Sequence, residues 1–178
     1  MKIPKPYEWL NREDSPKILV EAIKLYGTKE LVGKDHNPVI LDWADEIGGW
    51  IADYYINDEI PWCGLFVGIC AKRAGFAFNQ KMLSASAWKT WGNGVSEAKL
   101  GDVLIFTRQG GGHVGLYVGE DSIAFHVLGG NQNNQVSVTR IEKTRCVAMR
   151  RCAWQVAQPS RVRRVFLSAT GTLSTNEA

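Results

Sequence analysis

Through the first hundred residues, apolar positions recur with a helical period. Leu19, Ala22, Ile23 and Tyr26 share one side of a segment that opens with Ser15 as N-cap and Pro16 as first helical residue, then closes at Gly27. Asn37-Pro38 starts a second helix whose stripe is Val39, Ile40, Trp43 and Ile47, and Gly48-Gly49 stops it. The run 60–75 reads as a short buried helix, with Pro61 at or just before its start and Gly75 as terminator. Its last turn carries Lys72 and Arg73, where cations suit the negative end of the dipole. Residues 84–92 predict a short capped helix. From Leu100 the pattern becomes strand-like, over 103–106, 113–118, 122–128, 135–141 and 146–151, with turns at Gly119-Glu120-Asp121 and from Gly129 to Asn134. Helices followed by an antiparallel meander predict an α+β domain.

The remaining stretches are less regular. Residues 1–14 read as an irregular arm with Tyr7, Trp9 and Leu10 against the body. Residues 50–60 alternate aromatic and acidic groups, which suits either one wall of a cleft or a connecting segment with its rings turned inward. A chain of 178 residues supports one core, placed at 1–155 and followed by a basic, then Ser/Thr-rich tail over 156–178 that is loose beyond Gly171.

Charge and cysteine usage narrow the chemistry. The net charge of +3 is small, but residues 140–164 hold many of the basic groups and a single acid, Glu142, so this end could meet an anionic envelope surface. No basic stripe interleaved with aromatics argues for nucleic acid. No stretch approaches the roughly 20 apolar residues of a membrane span. The N-terminus lacks the apolar run of a secretory signal, so synthesis is expected in the cytosol, as a monomer. Cys63, Cys70, Cys146 and Cys152 contain no CxxC pair, which speaks against zinc, and they are expected reduced. No aspartate-rich calcium loop is present, so neither metal nor cofactor is expected.

Cys63 stands apart from the other thiols. It lies at the positive end of its helix, where unpaired N–H groups favour a thiolate and could hold an oxyanion. Cys70, two turns on, faces the packing with Phe66, Val67 and Ala74. Of three histidines, His36 reads as a solvated loop residue. His113 follows Gly110-Gly111-Gly112 and shares a strand face with Gly115, opposite Val114, Leu116 and Val118. Should the helix pack on the sheet, His113 could take the thiol proton and later return it to a leaving amine. A third group should fix the imidazole tautomer. Asn131, after two glycines at the end of the next strand, is the first choice; His126, within that strand, is the alternative.

With these residues in view, the chain resembles the cysteine, histidine-dependent amidohydrolases and peptidases (CHAP) and their NlpC-type relatives, papain-like cell-wall hydrolases, nearest a phage and prophage endolysin-like branch. The matching stretches are Pro61-Trp62-Cys63 with Phe66, Gly101-Asp102-Val103, His113-Val114-Gly115-Leu116-Tyr117-Val118-Gly119 after Gly112, and Leu128-Gly129-Gly130-Asn131-Gln132, spanning residues 15–153. Gly64 departs from the slightly larger small residue expected there. The resemblance implies a papain-like fold and bacteriolytic cleavage of a peptidoglycan amide bond, with Cys63 as nucleophile, His113 as base and a polar orienter. That orienter matches Asn131 in the CHAP pattern and His126 in the NlpC-type pattern. A phage lysis enzyme released from the cytosol, an injected antibacterial amidase and a non-catalytic wall-binding module of the same fold all agree with it.

Overall fold

The computed structural model describes residues 2–31, 33, 35–78, 81–153 and 162–177; the expected boundary between domain and tail at 155/156 lies outside them. Four α-helices, α1 (Lys17–Lys24), α2 (Pro38–Ile47), α3 (Trp50–Tyr54) and α4 (Cys63–Arg73), precede the sheet. Local chemistry sets their ends. Asn37 Oδ1 accepts from Val39 N–H at 2.9 Å, Pro38 occupies the first helical position, and Gly48 leaves α2 at φ 81°. Pro16, rather than Ser15, sits at the N-cap place of α1, and Ser15 Oγ is buried with no hydrogen-bond partner among the described residues.

α4 is the centre of the packing. Leu65, Phe66, Val67 and Ile69 are completely buried, so the helix is apolar all round. Burial of each such side chain contributes about 1.5–3 kcal/mol. Trp43 of α2 meets Trp62 edge-on at 5.9 Å between centroids and stands 6.2 Å from Phe66. Gly64 is explained by close approach. A Cβ there would run into the Met82 carbonyl and lie 2.8 Å from the Leu83 oxygen, so the slightly larger residue expected at that place has no room. Arg73 pairs with Glu46 at 2.6 Å and fastens the end of α4 to α2.

The sheet comprises β1 (Asn93–Gly94), β2 (Val103–Arg108), β3 (Gly111–Glu120), β4 (Ala124–Gly129), β5 (Ser137–Glu142), β6 (Cys146–Arg151) and β7 (Leu173–Ser174), in the order β1-β6-β2-β3-β4-β5-β7. β2 to β5 form the expected antiparallel meander, with register Phe106↔His113, Leu116↔Leu128 and Leu128↔Val138. Alternation sorts the side chains into two cores. Val103, Ile105, Val114, Leu116 and Leu128 pack with the helices, whereas Leu104, Phe106, Tyr117, Phe125, Val127 and Ile141 form a smaller cluster behind the sheet. The fold is α+β, as the pattern predicts.

Both chain ends depart from expectation. The N-terminal arm is a 3-10 turn over Lys5–Asn11 with Tyr7 and Leu10 buried. Residues 162–177 are not a loose tail. Val165 exchanges hydrogen bonds with the Tyr117 hydroxyl, Leu167 N–H donates to Glu120 O, β7 adds to β5 in parallel, and Glu177 is buried. The basic excess is also turned inward. Arg140, Arg145, Arg151 and Arg164 pair with Asp121, Glu177, Asp102 and Glu120, which leaves less positive charge for an external anionic surface. Among the described residues no helix is long and apolar enough to cross a membrane.

Candidate active site

Pro61 and Trp62 lead into α4 so that Cys63 is its first residue. The helix packs against β3 and β4 on the face lined by Val114 and Leu116, so the thiol and the His113 ring approach the start of β3 from opposite faces. β4 pairs with β3 from Phe125 to Leu128, opposite Glu120 to Leu116, and the pairing stops before Gly129-Gly130, which leaves the edge of β3 at His113–Gly115 without it. Cys63 stands near that edge, where the backbone N–H groups of Val114, the residue after His113, and of Gly64 and Cys63 itself favour a negative charge on its sulfur. Gly130 closes the contact from the other side. A Cβ there would lie 2.5 Å from Phe66 Cβ and 2.7 Å from the Trp62 ring.

His113 points to the far face of β3, beside Phe106, with ring centroids 6.5 Å apart. Its Nε2 bonds Gln132 Oε1 at 3.1 Å. The roles in this bond follow from the far end of the amide. Gln132 Nε2 donates to the Ser137 carbonyl at 2.6 Å and the Val127 carbonyl at 3.3 Å, and carbonyls only accept. Oε1 is therefore fixed as acceptor, His113 carries its proton on Nε2, and Nδ1 keeps a free lone pair, as a base requires. Gly129 leaves room for the pair, since a Cβ there would lie 2.8 Å from Gln132 Oε1 and 3.1 Å from His113 Nε2. Among the described residues, no hydrogen bond joins the ring directly to Cys63 Sγ.

The Cys63 thiol thus lies near the backbone of Val114, the neighbour of His113, while neither expected orienter hydrogen-bonds the imidazole. Asn131 adopts a left-handed conformation, φ 55°, and serves the turn. His126 lies further along β4, where Nε2 donates to Asp121 Oδ2 at 3.0 Å and Nδ1 accepts from the Tyr7 hydroxyl at 2.7 Å. The partner of His113 is Gln132, one residue beyond the first choice. A signal was present in the loop. Asn131, Asn133 and Asn134 all take positive φ, as short polar side chains tolerate, whereas Gln132 has no such turn preference and is completely buried. His36 is also no free loop residue, because its Nδ1 meets the buried Asp58 carboxylate at 3.1 Å.

Burial governs the protonation of both Cys63 and His113. It pushes the Cys63 thiol up, against the Val114, Gly64 and Cys63 N–H groups and the Arg108 charge, which favour thiolate. The resting thiol is therefore neutral rather than the thiolate expected from the helix end alone. Burial likewise lowers His113 from 6.5 to about 4; Glu177 and Gln132 oppose it, Arg108 and Arg145 assist it. A histidine depressed in the folded state stabilises the fold fully above its unfolded value and loses that contribution as pH falls toward the folded one. Urea unfolding should therefore show stability falling by about 2–3 kcal/mol from pH 7.5 to pH 4.5 through His113. Replacement of His113 by Gln should flatten that part of the slope; an unchanged slope would count against a buried neutral imidazole.

Tyr55, packed against the exposed Tyr54, is pushed up by burial and then by the Cys63 and Glu30 charges, which puts this one ring of residues 50–60 near the thiol. Trp62 Nε1 donates to Glu30 Oε1 at 2.5 Å on the same side. A comparison of the chain with models of known protein families finds none that matches, and a comparison with curated proteins finds none similar.

Proposed function

We propose that this protein is a papain-like cysteine amidase or peptidase of the CHAP and NlpC type that cleaves a peptidoglycan amide bond, as a phage or prophage lysis enzyme does. The observation that carries the reading is the tautomer of His113: a buried amide, itself fixed by two carbonyls, leaves Nδ1 unprotonated at the strand end where Cys63 Sγ lies. In this reading Nδ1 takes the thiol proton, Sγ attacks the amide carbonyl, and the imidazolium returns the proton to the leaving amine. The N–H groups of Cys63, Gly64 and Val114 stabilise the negative charge that passes from sulfur to oxygen.

A second reading, a wall-binding module that keeps the fold without the chemistry, draws on one observation, the burial of both Cys63 and His113. Digestion of purified Gram-negative peptidoglycan separates the two. The intact chain is expected to release fragments whose masses name the bond cut, and Cys63→Ala to release none. Binding without new ends, in this wall and in one of different cross-link chemistry, would favour the module. Equal cutting by both proteins would remove Cys63 from the mechanism.

A further inference from the structure

Beyond β7 the chain crosses the β2–β3 hairpin and ends its described course beside the base. Two arginines hold it there. Arg145 donates Nε to Thr107 O at 3.0 Å and Nη1 to Ser174 O at 2.9 Å, and it grips the Glu177 carboxylate with two prongs, Nη1 to Oε1 at 2.8 Å and Nη2 to Oε2 at 2.6 Å. Arg108 donates Nε to Gly112 O at 3.2 Å and Nη1 to Asn176 Oδ1 at 3.0 Å. Thr107 pairs across the ladder with Gly112, and His113 is the next residue. The strap is thus fastened to both strands at the point where the imidazole emerges.

Glu177 is 1% exposed there. Carboxylates are rarely so buried, and desolvation offsets much of what a buried ion pair contributes, so fastening the strap alone is a weak reason for this placement. The charged and titratable groups that act on His113 are Glu177 from the strap, Arg108 from β2 and Arg145 from the turn before β6, with Cys63 of α4 at the same strand end. Glu177 alone among these charges favours the imidazolium; both arginines oppose it. Burial raises the Glu177 carboxyl, but Arg145, the His113 charge and Ser174 outweigh it and keep the group ionised below its ordinary range.

We propose that Glu177 is a positioning residue for His113, a carboxylate fixed by Arg145 as the counter-charge that lets the imidazole accept the Cys63 proton inside a closed site. The inference rests on the amide-hydrolase reading. In that step the Sγ–H bond breaks and an Nδ1–H bond forms, giving thiolate and imidazolium. His113 keeps its Nε2 proton, held by Gln132 Oε1, Glu177 stays ionised throughout, and the Nδ1 proton later passes to the leaving amine.

The test compares the full chain with Glu177→Gln and Glu177→Asp by NMR titration of the His113 ring, by kcat and KM on purified peptidoglycan across pH, and by thermal unfolding. Glu177→Gln should lower the unfolding temperature, because Arg145 loses its buried counter-charge, and, at a temperature where the variant is fully folded, lower the His113 midpoint by about one pH unit and reduce kcat about tenfold at neutral pH with KM unaltered. Glu177→Asp should restore part of both. A His113 midpoint and kcat equal to those of the unaltered chain would overturn the proposal, as would a loss that follows the unfolded fraction and that Asp does not relieve. If the unaltered chain cuts no peptidoglycan, the functional reading fails, and the titration still decides whether Glu177 governs the ring.

Discussion

In the proposed amide hydrolysis, Gln132→Ala should slow cleavage roughly 10²- to 10⁴-fold, whereas Asn131→Ala and His126→Ala should each leave the folded protein within a few-fold of full activity. The expectation follows from which side chain determines the proton on His113. With Gln132 gone, Nε2 loses its acceptor and the ring is free to hold its proton on Nδ1, the atom that receives one from the thiol in the proposed step. The same change leaves the Ser137 and Val127 carbonyls without their amide donor in a dry place, at a cost of about 1–3 kcal/mol in stability. Rates are therefore to be compared at a temperature where both proteins are folded. Asn131 contributes a left-handed turn, and Ala accepts φ 55° less readily, so its replacement weakens the loop rather than the chemistry. An inactive Asn131→Ala beside an active Gln132→Ala would return the orienting role to Asn131 and discard the tautomer argument.

Much of this site was legible because its determinants are local. Pro61 before the helix, Gly75 after it and the cations of its last turn fix where α4 begins and ends, hence where Cys63 stands. The alternation from His113 to Val118 fixes which way the imidazole faces. Three things were not local. Asn131 and Gln132 are neighbours of similar chemistry, and only the positive φ at Asn131 decides which of them turns inward. The neutral thiol reflects three-dimensional burial, which outweighs the helix end that the sequence does display. The return of residues 162–177 depends on Tyr117, Arg145 and β5, partners distant in the chain, while its own Ser/Thr-rich composition reads as a tail.

Asp121→Ala should cost about 3–5 kcal/mol of stability, the typical result of removing one partner from a buried charged network. Asp121 Oδ2 accepts from Arg140 Nε at 2.8 Å and from His126 Nε2 at 3.0 Å, and Oδ1 accepts from the Ile123 and Ala124 N–H groups. Through His126 the network reaches Tyr7 in the N-terminal arm; through Arg140 Nη1 it reaches Gly171 O in the returning C-terminal segment at 2.8 Å. This is the work of His126: it ties the N-terminal arm to the Asp121 network, while Arg140 ties the returning segment. Burial alone would raise the Asp121 carboxyl, but Arg140, the two amides and His126 overcome it and hold it well below the carboxylate range. Its contribution is therefore complete above an unfolded value of about 3.9 and is lost as pH falls through the lower folded one. Urea unfolding at pH 7 should show the full loss in Asp121→Ala, and Asp121→Asn should recover part of it by keeping an acceptor for the two amides. Alanine without effect at pH 7 would mean that Arg140 and His126 find other partners, and that the chain ends are held by their apolar contacts instead.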